Sequence, residues 1–103
     1  MANAHPLDVL GDRTRREILE RLRGGPRAVG ELADGLPVSR PAVSQHLRVL
    51  KDAGLVVDHK DGTRRMYEVA PDGLLGLRDW FDGFWSDALA AYKDTVERKA
   101  RQT

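Results

Sequence analysis

Between Val38 and Lys51 the chain gathers side chains that could read the edge of a base pair: Ser39, Arg40, Ser44, Gln45, His46 and Arg48, with Pro41 among them. Glutamine can bond adenine through its N6 and N7 edge, arginine can fork onto guanine, serine can meet a base or a phosphate, and histidine can donate to either. Spacing turns this inventory into a surface. Val43, Leu47 and Leu50 fall at i, i+4 and i+7, so they share one face of a helix. At about 100° per residue, Gln45 and Arg48 then lie nearly opposite that apolar stripe, with Ser44 and Arg40 on one flank and His46 on the other. His46 fits either a DNA contact or a packing position between helices. Ser39 is placed to cap the helix through its hydroxyl, and Pro41 is tolerated in the first turn, where its missing N–H has no helical partner. The helix is expected to start near Arg40. An amphipathic helix with a merely solvated polar face has the same periodicity, so the neighbouring elements must decide.

Downstream, Leu55–Lys60 and Thr63–Val69 are β-prone runs separated by Asp61-Gly62, a pair that favours a type I′ two-residue turn. The spacing predicts a hairpin whose tip carries Lys60, Arg64 and Arg65 against Asp61. Such a tip could grip phosphate or enter a minor groove. Equally, its charges could keep an exposed hairpin from pairing with another edge. Upstream, Ile18, Leu19 and Leu22 give helical spacing to the segment Asp12–Arg23, which Gly24-Gly25-Pro26 stops. A short helix from about Val29 to Asp34 presents Val29, Leu32 and Ala33 to a core and ends at Gly35. Helix, turn and basic helix make a helix-turn-helix, and the hairpin makes it winged. The expected fold is therefore mainly α with a small β-hairpin.

These residues resemble the ArsR/SmtB-type winged-helix repressors of bacteria. The resemblance is carried by Asp12-Arg13-Thr14-Arg15-Arg16-Glu17-Ile18-Leu19, by Val29-Gly30-Glu31-Leu32-Ala33, by the stretch from Val38 to Lys51, by Leu50-Lys51-Asp52-Ala53-Gly54-Leu55-Val56 and by Gly62-Thr63-Arg64-Arg65-Met66-Tyr67, covering about residues 6–71. It implies a homodimeric repressor that binds an operator. The aromatic C-terminal helix looks like that of the family's metal-independent branch, whose members often repress their own operons. Metal-sensing relatives place cysteines on the helix matching Val29–Asp34, or carboxylate and histidine ligands on the last helix. This chain has no cysteine, and His5, His46 and His59 are far apart with none following residue 59. No metal and no cofactor are expected, and the sequence identifies no small-molecule effector.

After Pro71 a helix is expected from about Asp72 to Lys99, with Leu74, Leu77, Phe81, Phe84, Trp85, Ala88, Leu89, Tyr92 and Val96 recurring at intervals of three and four and Trp80 widening the stripe. So long an apolar face exceeds what a small domain can cover. Some of these residues complete the core of one subunit. The expected dimer interface comprises Leu77, Trp80, Phe81, Phe84, Trp85, Ala88, Leu89 and Tyr92, joined by Leu7 and Leu10 from the N-terminal segment. The 103 residues fit one domain, 1–103, with a DNA-binding core over about 12–70 and a dimerisation helix over about 72–100.

A formal charge of +1 excludes a uniformly basic surface, but residues 40–51 hold Arg40, Arg48 and Lys51 with no acidic residue before Asp52. Positive charge thus sits where DNA is expected. The absence of cysteine fits a reducing compartment, and no run approaches the roughly 18 apolar residues of a membrane span. A cytoplasmic, nucleoid-associated location follows as the expectation, with no membrane partner. Two other function classes are open to such a chain. Ser39, Ser44, Ser86 and the histidines lack any nucleophile elbow or phosphate loop, so the chain is not expected to be an enzyme. The rival reading is a winged helix that binds another protein through its aromatic C-terminal helix, with the basic helix only aiding solubility.

Overall fold

The computed structural model describes residues 5–102; of the expected 1–103 domain, residues 1–4 and Thr103 lie outside the described residues. Five helices and a three-stranded sheet follow in the order α1 (Pro6–Val9), α2 (Arg13–Arg21), β1 (Arg27–Ala28), α3 (Val29–Ala33), α4 (Arg40–Asp52), β2 (Val56–Asp61), β3 (Arg64–Val69) and α5 (Pro71–Gln102). Val9, Ile18, Leu22, Leu32, Leu36, Val43, Leu47, Leu50, Leu55, Val56 and Leu77 form one buried cluster, so every helix contributes to a single core. The fold is a winged helix-turn-helix, mainly α.

Local chemistry sets the helix ends. Asp12 Oδ1 accepts from the Arg15 N–H at 3.0 Å and starts α2. That helix is shorter than expected, because a 3₁₀ turn over Leu22–Gly24 closes it ahead of Gly25, whose φ of +126° only glycine adopts readily. Ser39 Oγ accepts from Ala42 N–H at 3.2 Å, and α4 begins at Arg40. At its other end Gly54 N–H donates to Lys51 O and Leu55 N–H to Leu50 O, both at 2.9 Å, with Gly54 at φ +78°. This pair of bonds is a Schellman stop.

The sheet departs from expectation in two ways. Arg27 and Ala28 pair antiparallel with Tyr67 and Met66, which adds a third strand and gives the order β1-β3-β2. The hairpin turn is also one residue further along than Asp61-Gly62. Asp61 pairs with Arg64, leaving Gly62-Thr63 as the loop, with positive φ (+65°) at Gly62 alone. That pattern matches the type II′ turn, which needs glycine at its first central position, rather than type I′, which needs positive φ at both. The ladder places Val56, Asp58, Lys60, Arg65, Tyr67 and Val69 on one face of the wing.

Helix α5 spans 32 residues, about 48 Å at 1.5 Å per residue. Ala70 N–H donates to Leu55 O at 2.9 Å just before it begins, and Gly73 packs directly on the Schellman turn. A Cβ on Gly73 would stand 1.9 Å from Gly54 O. The first turns of α5 are therefore keyed to the end of α4, while the rest projects beyond the core. No helix among the described residues is long and apolar enough to cross a membrane.

Candidate nucleic-acid interface

Burial of Val43, Leu47 and Leu50 fixes which face of α4 looks outward. Pro41, Ser44, Gln45 and Arg48 are exposed and line a groove of about 540 Å³ together with Lys51, Asp52 and Tyr67 of β3. Three of the expected base-reading side chains thus stand side by side between helix and wing. Ser39 is exposed but its hydroxyl is occupied by the cap. Arg40 stands apart, in a second hollow of about 480 Å³ shared with Gly30, Glu31, Arg64 and Arg65. Its guanidinium lies over Gly30, where an added Cβ would come within 3.0 Å of Nη2. His46 is half-buried, with Nδ1 3.5 Å from Arg15 Nη1. Of the two roles open to His46, helix packing against α2 is the one the geometry favours.

On the wing, Lys60 is exposed, and its side chain has no ion pair or hydrogen bond among the described residues; the same is true of Arg40 and Arg48. The two wing arginines differ from the free cations the sequence leads one to expect. Arg64 is paired with Glu31 of α3, and Arg65 Nη1 lies 2.7 Å from Asp58 Oδ2. The other Asp58 oxygen is 2.7 Å from Lys51 Nζ, in the last turn of α4. Asp58 is enclosed, its side chain only 7% exposed, and the Lys51 ammonium followed by the Arg65 guanidinium holds its carboxyl below the usual aspartate range. Glu31 is likewise held low, chiefly by the Ala28 N–H it accepts at 3.1 Å and secondarily by Arg64. Asp58 and Tyr67 were not among the expected site residues. Alternation along β2 and β3 puts them on the face of Lys60 and Arg65, which was the available signal.

The expected dimer-interface residues separate into two groups. Leu77 is 8% exposed and belongs to the core of its own subunit, and Leu7 and Leu10 are half-buried against that core. Trp80, Phe81, Phe84, Trp85, Leu89 and Tyr92 are exposed, Trp85 at 64% and Tyr92 at 69%, as is Ala88. Trp80 stacks on Phe84 at 5.6 Å and meets Phe81 edge-on at 5.1 Å. The histidines take separate structural places: His5 accepts from Leu7 N–H at 3.1 Å, and His59 lies 3.7 Å from Glu68 on the wing. Among the described residues, no group of three or more histidine, cysteine or acidic side chains could hold a metal ion.

Residues 10–59 match the helix-turn-helix domain family. The chain is 56% identical over 94 residues to the HTH-type transcriptional regulator Rv2034 of Mycobacterium tuberculosis, covering 91% of this chain and 88% of that one. The chain belongs to the ArsR/SmtB family of winged helix-turn-helix regulators. It is also 35% identical over 75 residues to the transcriptional repressor SdpR of Bacillus subtilis, across 73% of this chain and 83% of SdpR. The solution structure of a homodimeric winged helix-turn-helix DNA-binding domain from Mycobacterium bovis, a possible ArsR-family regulator, superimposes with a TM-score of 0.64 at 28% identity, covering 82% of this chain and 78% of that one. This family member is a DNA-binding transcriptional regulator, and its relatives are regulators rather than enzymes.

Proposed function

We propose that the protein is a homodimeric repressor that binds an inverted-repeat operator, its own promoter included. The observation that carries this reading is the outward face of α4, where Ser44, Gln45 and Arg48 open on one groove with the wing. Ser44, Gln45 and Arg48 read bases, and Arg40 and Lys60 meet phosphate on either side. The exposed stripe of α5 pairs with the same stripe of a second copy, an isologous contact that would set two α4 helices about one DNA turn apart. Repression is supported by the likeness to SdpR, and dimerisation by the likeness to the homodimeric domain. The rival reading assigns the stripe to a different protein.

Selection from a random duplex pool at fixed salt, followed by anisotropy titration, separates the two. Enrichment of an inverted repeat, bound by a dimer at least about a thousandfold tighter than scrambled duplex, is the expected result. Weak, salt-sensitive binding with no enriched motif would instead favour the protein-binding reading.

A further inference from the structure

We propose that Asp58 sets the strength of the DNA-binding surface, holding Lys51 and Arg65 away from phosphate so that fewer phosphate contacts back the base-reading face of α4. The inference rests on the DNA-binding reading above. Its basis is geometric. Asp58 sits between the end of α4 and the wing, and each carboxylate oxygen is taken by a cation at 2.7 Å. Lys51 lines the same groove as Gln45 and Arg48, so the ammonium that Asp58 holds stands beside the base-reading face.

Enclosing a carboxylate has a desolvation cost that two charge-assisted bonds offset. The effect on the surface is clear: Lys51, Asp58 and Arg65 together present one net positive charge instead of two. Glu31 treats Arg64 the same way from α3. Affinity for any duplex rises with the number of phosphates neutralised, whereas base contacts carry the sequence preference. Withholding these cations therefore lowers affinity for every duplex alike and leaves the sequence preference to α4.

The test compares wild type, Asp58→Asn, Asp58→Glu and Arg65→Met by anisotropy on the selected site and on scrambled duplex, from about 50 to 200 mM salt. Asp58→Asn should bind scrambled duplex several-fold more tightly at low salt and steepen the logarithmic salt dependence by about one to two units per protomer. The selected site should gain by a similar factor, and Asp58→Glu should restore wild-type binding on both duplexes. Arg65→Met alone should leave the slope unchanged, but in the Asp58→Asn background it should remove about one unit. A lower melting temperature with unchanged slope and affinity would reduce Asp58 to a structural role and overturn the proposal. Loss of about one unit of slope on Arg65→Met alone would do the same without requiring the Asp58 variant to fold. If wild type enriches no site, the DNA-binding reading fails and this inference with it; an enriched site with an indifferent Asp58 sinks the inference alone.

Discussion

Arg48 and Lys60 are both exposed and unpaired among the described residues, yet their positions give them different work. Arg48 faces the groove from the middle of α4, and on the proposed reading, in which it meets base edges, Arg48→Ala should cost roughly 1–3 kcal/mol of operator affinity and relax preference at one base position. Lys60 stands near the hairpin tip, and Lys60→Ala should weaken every sequence alike while lowering the salt slope by about one unit. Titrations across a panel of single-base variants tell the two apart. The hydrogen-bonded carboxylates also give folding an acid limit. Asp12, Glu31 and Asp58 all have depressed pKa values in the fold, with the Arg15 N–H the main cause at Asp12. Their stabilisation is complete above the unfolded values near 4 and disappears as the pH falls through the lower folded ones. Thermal melts should therefore be level from pH 7 to about 5 and fall steeply below about 4, less steeply in Asp58→Asn.

At the scale of the elements, the joint between α4 and α5 is the most demanding contact. Gly73 lies against the carbonyl of Gly54, and a methyl group there would collide with backbone that cannot swing aside. Gly73→Ala should destabilise the fold by about 1–3 kcal/mol in a denaturation series, whereas Gly76→Ala, with nothing within 4 Å, should be neutral or slightly stabilising. Neither glycine stands out in the sequence, because the reason lies in chain segments nearly twenty residues apart. By contrast α4 was fully legible: a serine cap, a first-turn proline and a stripe at i, i+4 and i+7 are all local signals. Strand β1 was not, since two residues carry no periodicity and their pairing is decided by β3. The turn slid by one residue for a related reason. Asp61-Gly62 has the right composition for a type I′ loop, but only the ladder reveals that Asp61 is already paired. Of the candidate site, the outward face of α4 could be seen in advance, while the partners of Arg64 and Arg65 could not.

The whole molecule is elongated. Its radius of gyration is 19.0 Å, against about 13 Å for a compact chain of this length, and its longest dimension is 69 Å. The excess comes from α5, whose aromatic residues beyond Leu77 have no cover within the subunit. Sequence periodicity revealed that stripe but could not divide it, because Leu77 and Phe81 sit on one face and only the position of the core separates them. Trp85→Asp should shift the dimer towards monomer by light scattering and weaken operator binding while sparing the fold of the subunit. A dimer indifferent to this change would move the interface elsewhere.

The packing of Gly73 on Gly54 also turns α5 into a lever. Its fulcrum is the joint beside α4, and its long arm is most of the roughly 48 Å of helix beyond. A tilt of some 10° at the joint sweeps the far end through roughly 8 Å, which exceeds one helical turn. In reverse, the leverage works as a reduction gear: in the proposed dimer the two aromatic stripes can settle against one another over several ångströms while the groove beside α4 moves by a fraction of one.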